Sequence, residues 1–348
     1  MGLILSCAIN TGFAGGRLRK TLKNGHYKNY RKPIVLYFDN PTVDIKLLKM
    51  RTGILLFISC FICDNAFGQS SSDNYDLDTS NYAFIRKMIE LDTKTIELMP
   101  DNPNNYFTRA KDYSKLHNFK KALEDLNIAD SLQPNEPAIL YRRGAIKHRL
   151  EDLNGALADF QRTIELKPDF EWAYSDKGTI LKELGKFELA IESFNKAISL
   201  KPNWEIPYFQ LGDTYKEMKK YEKALENYDL AITFYSGNPM AFNNRGNLKK
   251  IMGRYDEAIL DFIKAIELQP DYKLAYLNLS ECYFQTSQLE KSLMSINKAI
   301  ELSSNYYDAL KFRKELYKGM KQFDKACLDY VKCKELNPEE IDTDLNCE

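Results

Sequence analysis

The chain has 348 residues, of which 44% are hydrophobic and 28% charged, with acidic and basic side chains in equal number. This composition excludes fibrous and low-complexity classes and leaves room for two average domains or one elongated array. Residues 1–68 hold ten Lys and Arg against three Asp and Glu, which leaves 69–348 at a net charge of −7 and argues against nucleic acid, whose binding proteins concentrate positive charge.

Taken in chain order, residues 1–49 have neither helical nor strand periodicity, and "RLRKTLKNGHYKNYRKP" resembles no export element. They are expected to be a spurious or disordered extension upstream of a true start at Met50. "MGLILS" fits the myristoylation pattern of Gly2 followed by Ser6, a match short enough to arise by chance. Residues 50–68, "MRTGILLFISCFICDNAFG", read as a signal peptide. Arg51 supplies the basic start, Ile54 to Cys63 the apolar run, and Ala66 and Gly68 the small residues before a cut at Gln69. The other reading is an apolar core strand, which the Ser-rich "QSSSDNYD" that follows disfavours. The run is too short to cross a bilayer, which takes about 20 residues, so no transmembrane span is expected. The expected location is periplasmic or secreted. A lipid anchor at Cys60 is the alternative, although Phe57 fits the acylation motif poorly. Residues 69–102 form a polar linker followed by one amphipathic capping helix, "YAFIRKMIELDTKTIELMP" over 82–100.

Beyond it, Pro100, Pro134, Pro168, Pro202, Pro270 and Pro338 lie on a comb of 34 residues whose remaining teeth are Ser236 and Ser304. Proline closes helices, because it lacks an N–H and clashes with the preceding turn. A fixed period in this range means stacked supersecondary units. Units starting at 103, 137, 171, 205, 239, 273 and 307 fill 103–340, and 341–348 remain as a tail. Position 8 of the unit is small in most copies (Ala110, Gly144, Gly178, Gly212, Gly246, Ser280), with Lys314 in the last. Position 20 is Ala or Ser throughout, from Ala122 to Ala326. Position 24 is large: Leu126, Phe160, Phe194, Tyr228, Phe262, Ile296 and Tyr330. Small residues facing large ones let two helices interdigitate. Each unit is therefore an antiparallel helical hairpin, turning near position 15, where Gly185 and Gly253 suit a left-handed C-cap.

Two further positions vary together. Where position 7 is Arg (Arg109, Arg143, Arg245, Arg313), position 23 is Asp (Asp125, Asp159, Asp261, Asp329). The other copies pair Lys177 with Ser193, Leu211 with Asn227 and Leu279 with Ser295. The two positions are expected to touch, joining the helices of one hairpin by an ion pair. Position 28, Ile in the middle copies, becomes Lys334 in the last, which implies that no further repeat packs there.

The period, the small positions and the terminal proline together resemble the tetratricopeptide repeat family over 103–340. The resemblance implies an all-α fold, a right-handed superhelical solenoid of seven hairpins plus the capping helix. It also implies a concave groove lined by positions 2, 5, 6, 9 and 12 of the first helices. Position 2 then contributes Trp172, Ile206, Met240 and Leu274, and position 5 contributes Phe107, Tyr141 and Phe209. Asn243, Asn244, Asn247 and Asn278 form a row of amides, which donate and accept together and so suit the backbone of an extended peptide. The plainer reading is that Asn is a tolerated polar residue on an exposed helix. A clamp for a partner's C-terminal carboxylates, known in the family, is excluded by Asn243, Asp308 and Phe312 at its cationic positions.

No chemistry is expected. His117 and His148 have no His or Cys at metal-ligand spacing, and there is neither a glycine-rich phosphate loop nor G-x-S-x-G. The chain is read as non-catalytic, without metal or cofactor, binding a protein or peptide partner in its groove. The alternative is an architectural component of an envelope or secretion assembly that uses its ends or convex face. Cys347 could reach Cys327 or Cys333 and pin the tail over the last helix; buried thiols are the other reading.

Overall fold

The computed structural model describes residues 79–339 together with Leu345 and Cys347. The expected extension over 1–49, the expected signal over 50–68 with Gly2 and Cys60, the expected linker as far as 78 and most of the tail lie outside the described residues. Among the described residues there are fifteen α-helices and no strand. Helix α1 (Thr79–Leu98) precedes seven hairpins. These are α2 (Pro103–Lys115) with α3 (Phe119–Leu132), α4 (Pro137–Arg149) with α5 (Leu153–Leu166), and α6 (Glu171–Glu183) with α7 (Phe187–Leu200). Then come α8 (Glu205–Glu217) with α9 (Tyr221–Phe234), α10 (Pro239–Ile251) with α11 (Tyr255–Leu268), α12 (Lys273–Gln285) with α13 (Leu289–Leu302), and α14 (Tyr307–Gly319) with α15 (Phe323–Leu336).

Local chemistry sets the helix ends. Pro103, Pro137 and Pro239 occupy first-turn positions, where a missing N–H costs nothing. Asn102, Asn118, Asp152 and Asn238 cap helix starts with their side-chain oxygens. The inter-helix turn is the same in all seven hairpins. Residue 15 of each unit has a left-handed backbone: His117, Glu151, Gly185, Lys219, Gly253, Ser287 and Lys321, with φ between 55° and 76°. In the third hairpin the Gly185 N–H donates to the Lys182 carbonyl and the Lys186 N–H to the Leu181 carbonyl, both at 2.8 Å. The other six turns repeat this Schellman pairing. Glycine at Gly185 and Gly253 is thus favourable for this turn but not required by it.

The small-against-large core forms as expected. A Cβ added at Gly178 or Gly212 would lie 2.6 Å from the ring of Phe194 or Tyr228, and one at Gly144 2.8 Å from Phe160. In the sixth hairpin Ser280 and Ser292 replace the usual small pair, and each hydroxyl donates to the other's carbonyl, at 2.7 and 2.8 Å. Buried hydroxyls are thereby satisfied within the contact.

All four Arg–Asp pairs form, with Nε and Nη2 gripping both carboxylate oxygens at 2.5–3.0 Å. Each arginine also reaches back through Nη1 to the second helix before it. Arg109 meets Thr93, Arg143 meets Asp130, Arg245 meets Asp229 and Arg313 meets Asn297. The pair therefore joins three helices rather than the two inferred from the sequence. Thr93 takes the part that Asp229 and Asn297 play later, so α1 stands in the register of a second helix. Ile96 accordingly packs against the first core cluster.

The last repeat is closed by the tail. Position 21 is a large apolar residue in the first six hairpins, where Leu157 and Leu293 pack into the core of the following repeat. In the seventh it is Cys327, joined to Cys347 by a disulfide. Leu345, 8% exposed, packs beside it on Tyr317 and Ala326. Cys282 and Cys333 are buried and form no disulfide. Lys334 is exposed, as its charge requires.

Adjacent first helices touch directly from α4 through α12, and neighbouring second helices do not do so to the same extent. The array therefore bends toward its first helices, whose face is the inner one.

Candidate functional site

Along the edge of the inner face lies the apolar band of position 2. The Trp172 ring, at the start of α6, meets that of Trp204 with centroids 4.3 Å apart, and Lys201 Nζ lies 5.6 and 5.2 Å from the two rings. Ile206 and Met240 continue the band half-buried, and Leu274 is 39% exposed. The aromatic residues of position 5 are anchored in their own repeats. Phe107 packs on the first core, Tyr141 sits 5.7 Å from Phe160 and 4.8 Å from Phe170, and Phe209 sits 5.9 Å from Tyr228. Each remains half-buried, leaving an apolar edge accessible.

The asparagines are brought together, but not as an open row. Asn278 Nδ2 donates to Asn243 Oδ1 at 3.1 Å, and Asn243 Nδ2 to Asn244 Oδ1 at 3.4 Å. Asn244 Nδ2 donates to Asp213 Oδ1 at 3.1 Å, an oxygen that also accepts the Tyr228 hydroxyl. At the far end Lys250 Nζ donates to Asn278 Oδ1 at 2.8 Å and to Glu281. The result is a continuous hydrogen-bonded ladder across α8, α10 and α12. Asn243 and Asn278 are only 2% and 7% exposed, and buried amides must find partners, so they find each other. Asn247, one turn further along α10, is half-buried and makes no side-chain hydrogen bond among the described residues. Its amide is the one in the row left to meet a partner.

The partners on this face, among them Asp176, Glu183, Lys182 and Lys216, were not singled out from the sequence. Tyr141 donates to Asp176 Oδ2 at 2.8 Å, His148 Nε2 lies 2.9 Å from Glu183, and Lys182 donates to Gln210 at 3.0 Å. Lys216 pairs with Asp213 at 3.2 Å. Burial pushes the Asp176 carboxyl up to about 6, against the opposing pull of the Tyr141 hydrogen bond. Burial and the neighbouring carboxylate push the Tyr141 hydroxyl upward as well. The signal for these residues was the same comb: Lys182, Lys216 and Lys250 all stand at position 12. The inner face is thus of mixed charge, with cations and carboxylates already matched between neighbouring first helices.

A second concavity lies on the outer side, a cleft of about 890 Å³ between α5 and α7 above α6. Lys177 and Ser193 line it, in a hairpin that lacks the Arg–Asp pair. Lys177 donates only backwards, to Gln161 at 2.8 Å. No group of three or more His, Cys, Asp or Glu placed to hold a metal occurs among the described residues. None of the described helices is long and apolar enough to cross a membrane.

Family models described as Tetratricopeptide repeat match residues 207–238, 239–272 and 274–306, and one described as TPR repeat matches 178–219. No curated protein matches the sequence. Among solved structures, the APC/C hetero-tetramer Cut9–Hcn1 is similar with a TM-score of 0.55 at 18% identity, over 74% of this chain and 51% of that one. This chain thus spans about half the length of the chain it matches there. The C-terminal part of a TPR repeat-containing protein from Cytophaga hutchinsonii gives 0.54 at 21% identity, over 67% of this chain and 96% of that one. A tetratricopeptide repeat protein from Parabacteroides merdae gives 0.53 at 20% identity, over 68% and 94%. Identities this low carry the fold and nothing further.

Proposed function

The chain is a tetratricopeptide repeat protein, a helical solenoid of the kind that serves protein–protein interaction, and from that premise we propose that it holds an extended peptide segment of its partner along the inner face. The observation that carries this reading is the unspent amide of Asn247, two helical turns from Met240 on the same face of α10, together with the half-buried band of Trp172, Ile206 and Met240. An extended backbone offers N–H and C=O groups to such an amide while its apolar side chains meet the band. The protein is non-catalytic in this reading and needs no cofactor. It works outside the reducing cytosol: the signal-like segment at 50–68 supports this, and so does the Cys327–Cys347 disulfide, a bond that persists in oxidising compartments.

The ladder decides which residues to change. Asn278 holds Asn243 and Lys250 in place, so altering it would disturb the fold as well as the face. The test is therefore Asn247→Asp combined with Ile206→Asp, compared with wild type by crosslinking capture from the native host and mass spectrometry. Loss of a captured partner at unchanged helicity and melting temperature is expected. Retention of every partner would end the groove reading and favour contacts through the ends or the outer face. The N-terminal peptide found in the same digest reports whether the chain is cut before Gln69.

A further inference from the structure

The outer face of the array changes character in its last three repeats. At position 22 the first four second helices carry Glu124, Ala158, Glu192 and Glu226; the last three carry Leu260, Met294 and Leu328. These three are 67%, 73% and 73% exposed, on equivalent positions of α11, α13 and α15. A single exposed leucine needs no explanation, but an aligned row of three of the four most exposed large apolar side chains among the described residues does. Its flanks are ordered as well. Four residues before it, one turn toward the helix start, stand Asp256, Glu290 and Asp324; four residues after it stand Lys264, Lys298 and Lys332. Positions 18, 22 and 26 share one helix face, so an acidic row, an apolar row and a basic row run side by side across three helices. No earlier repeat has this sequence of rows: position 18 there is Lys120, Asn154, Glu188 and Glu222.

We propose that this face joins two copies of the chain. The row order selects the geometry. A two-fold axis running along the apolar row turns the partner over, so that its basic row lies on this copy's acidic row and its acidic row on the basic one. Leucine and methionine meet their equivalents between them, as an isologous contact requires. A two-fold axis across the rows would instead set acid on acid and base on base. The existing pairs of Lys264 with Glu267 and Lys298 with Glu301 are exposed, at 2.9 and 2.8 Å, and such surface pairs exchange partners at little cost. Three apolar side chains per copy make a small contact, so the association is weak and transient. The contact uses second helices only, so the inner faces of both copies stay open and the pair presents two grooves.

The test is sedimentation equilibrium of the full chain up to about 200 µM. A monomer–dimer equilibrium is expected, weakened at least tenfold by Leu260→Asp with Met294→Asp and Leu328→Asp, at unchanged circular dichroism. One chain carrying Lys264→Glu, Lys298→Glu and Lys332→Glu, and another carrying Asp256→Lys, Glu290→Lys and Asp324→Lys, should each be monomeric alone. Mixed in equal amounts, they should pair, because each then faces rows of opposite charge. A wild-type chain that stays monomeric throughout, a dimer indifferent to the aspartate substitutions, or charge variants that fail to pair on mixing would each overturn the proposal.

Discussion

The chain contains its own control for the Arg–Asp pair, and that makes Asp261 the most informative residue to remove. Its carboxylate is 4% exposed and is held by Arg245 through two bonds, and by Lys249 at 2.8 Å. Those two cations are only 17% and 11% exposed. Asp261→Ser alone leaves Lys249 facing a neutral, partly buried site and leaves Arg245 only its bond to the exposed Asp229. Breaking one side of a buried pair costs about 3–5 kcal/mol, and the partial exposure of the arginine brings the expectation to about 2–4. Arg245→Leu alone leaves Asp261 its lysine and is expected to cost about 1–2 kcal/mol. The double variant sets Leu and Ser where the sixth repeat has Leu279 and Ser295, leaves Lys249 with Glu257 at 4.0 Å, and should cost about 1–2 kcal/mol, less than Asp261→Ser alone. A repeat array unfolds piecewise, so the readout is amide hydrogen exchange of α10 and α11 beside urea unfolding. Losses that add in the double variant to within about 0.5 kcal/mol would show that the two side chains do not act as a pair, and would refute the argument.

Two other outcomes can be checked alongside. Gly212→Leu forces atoms into the ring of Tyr228, 2.6 Å from the first added carbon, and overpacking of this kind costs about 1–3 kcal/mol. An unchanged melting temperature would mean that the repeat register is misplaced. Asp176 has a carboxyl raised to about 6 in the folded chain, above its ordinary value of 3.8. The folded state then binds this proton more tightly than the unfolded one, so the contribution to stability is full below pH 4 and fades as pH rises through 6. Asp176→Asn keeps an acceptor for Tyr141 and should raise stability above pH 7 by about 1–3 kcal/mol while flattening the profile between the two values. A melting profile with the wild-type slope would contradict this.

Much of this was legible in the residues, for a physical reason. A 34-residue comb fixes which side chains share a face, and small residues opposite large ones fix which faces meet. The contact of positions 7 and 23 could be read because Arg and Asp appear and disappear together. What spacing does not encode is whether two polar groups on one face turn to solvent or to each other. Hence the ladder through Asn243, Asn244 and Asn278 came from the structure, as did the backward reach of each arginine. The left-handed turn at His117, Glu151, Lys219, Ser287 and Lys321 was equally silent, because only glycine advertises that conformation. The cysteine choice was open from tail length alone, yet position 27 held the answer. It is Ala or Thr in every earlier unit and buried there, so Cys333 belongs to the core and Cys327 is left for the tail.

The Cys327–Cys347 bond also decides how the array would carry a mechanical load. Tension drawn through Cys347 enters the fold at Cys327, within α15, and not along the stretch between the two cysteines, which stand 20 positions apart. That stretch is out of the force path, so the last helix is pulled from its interior and sideways rather than unwound from its end. Reduction moves the point of attack to the free end, where the helix can peel one turn at a time. The bond thus sets whether a pull on the tail is borne across the last helix or along it.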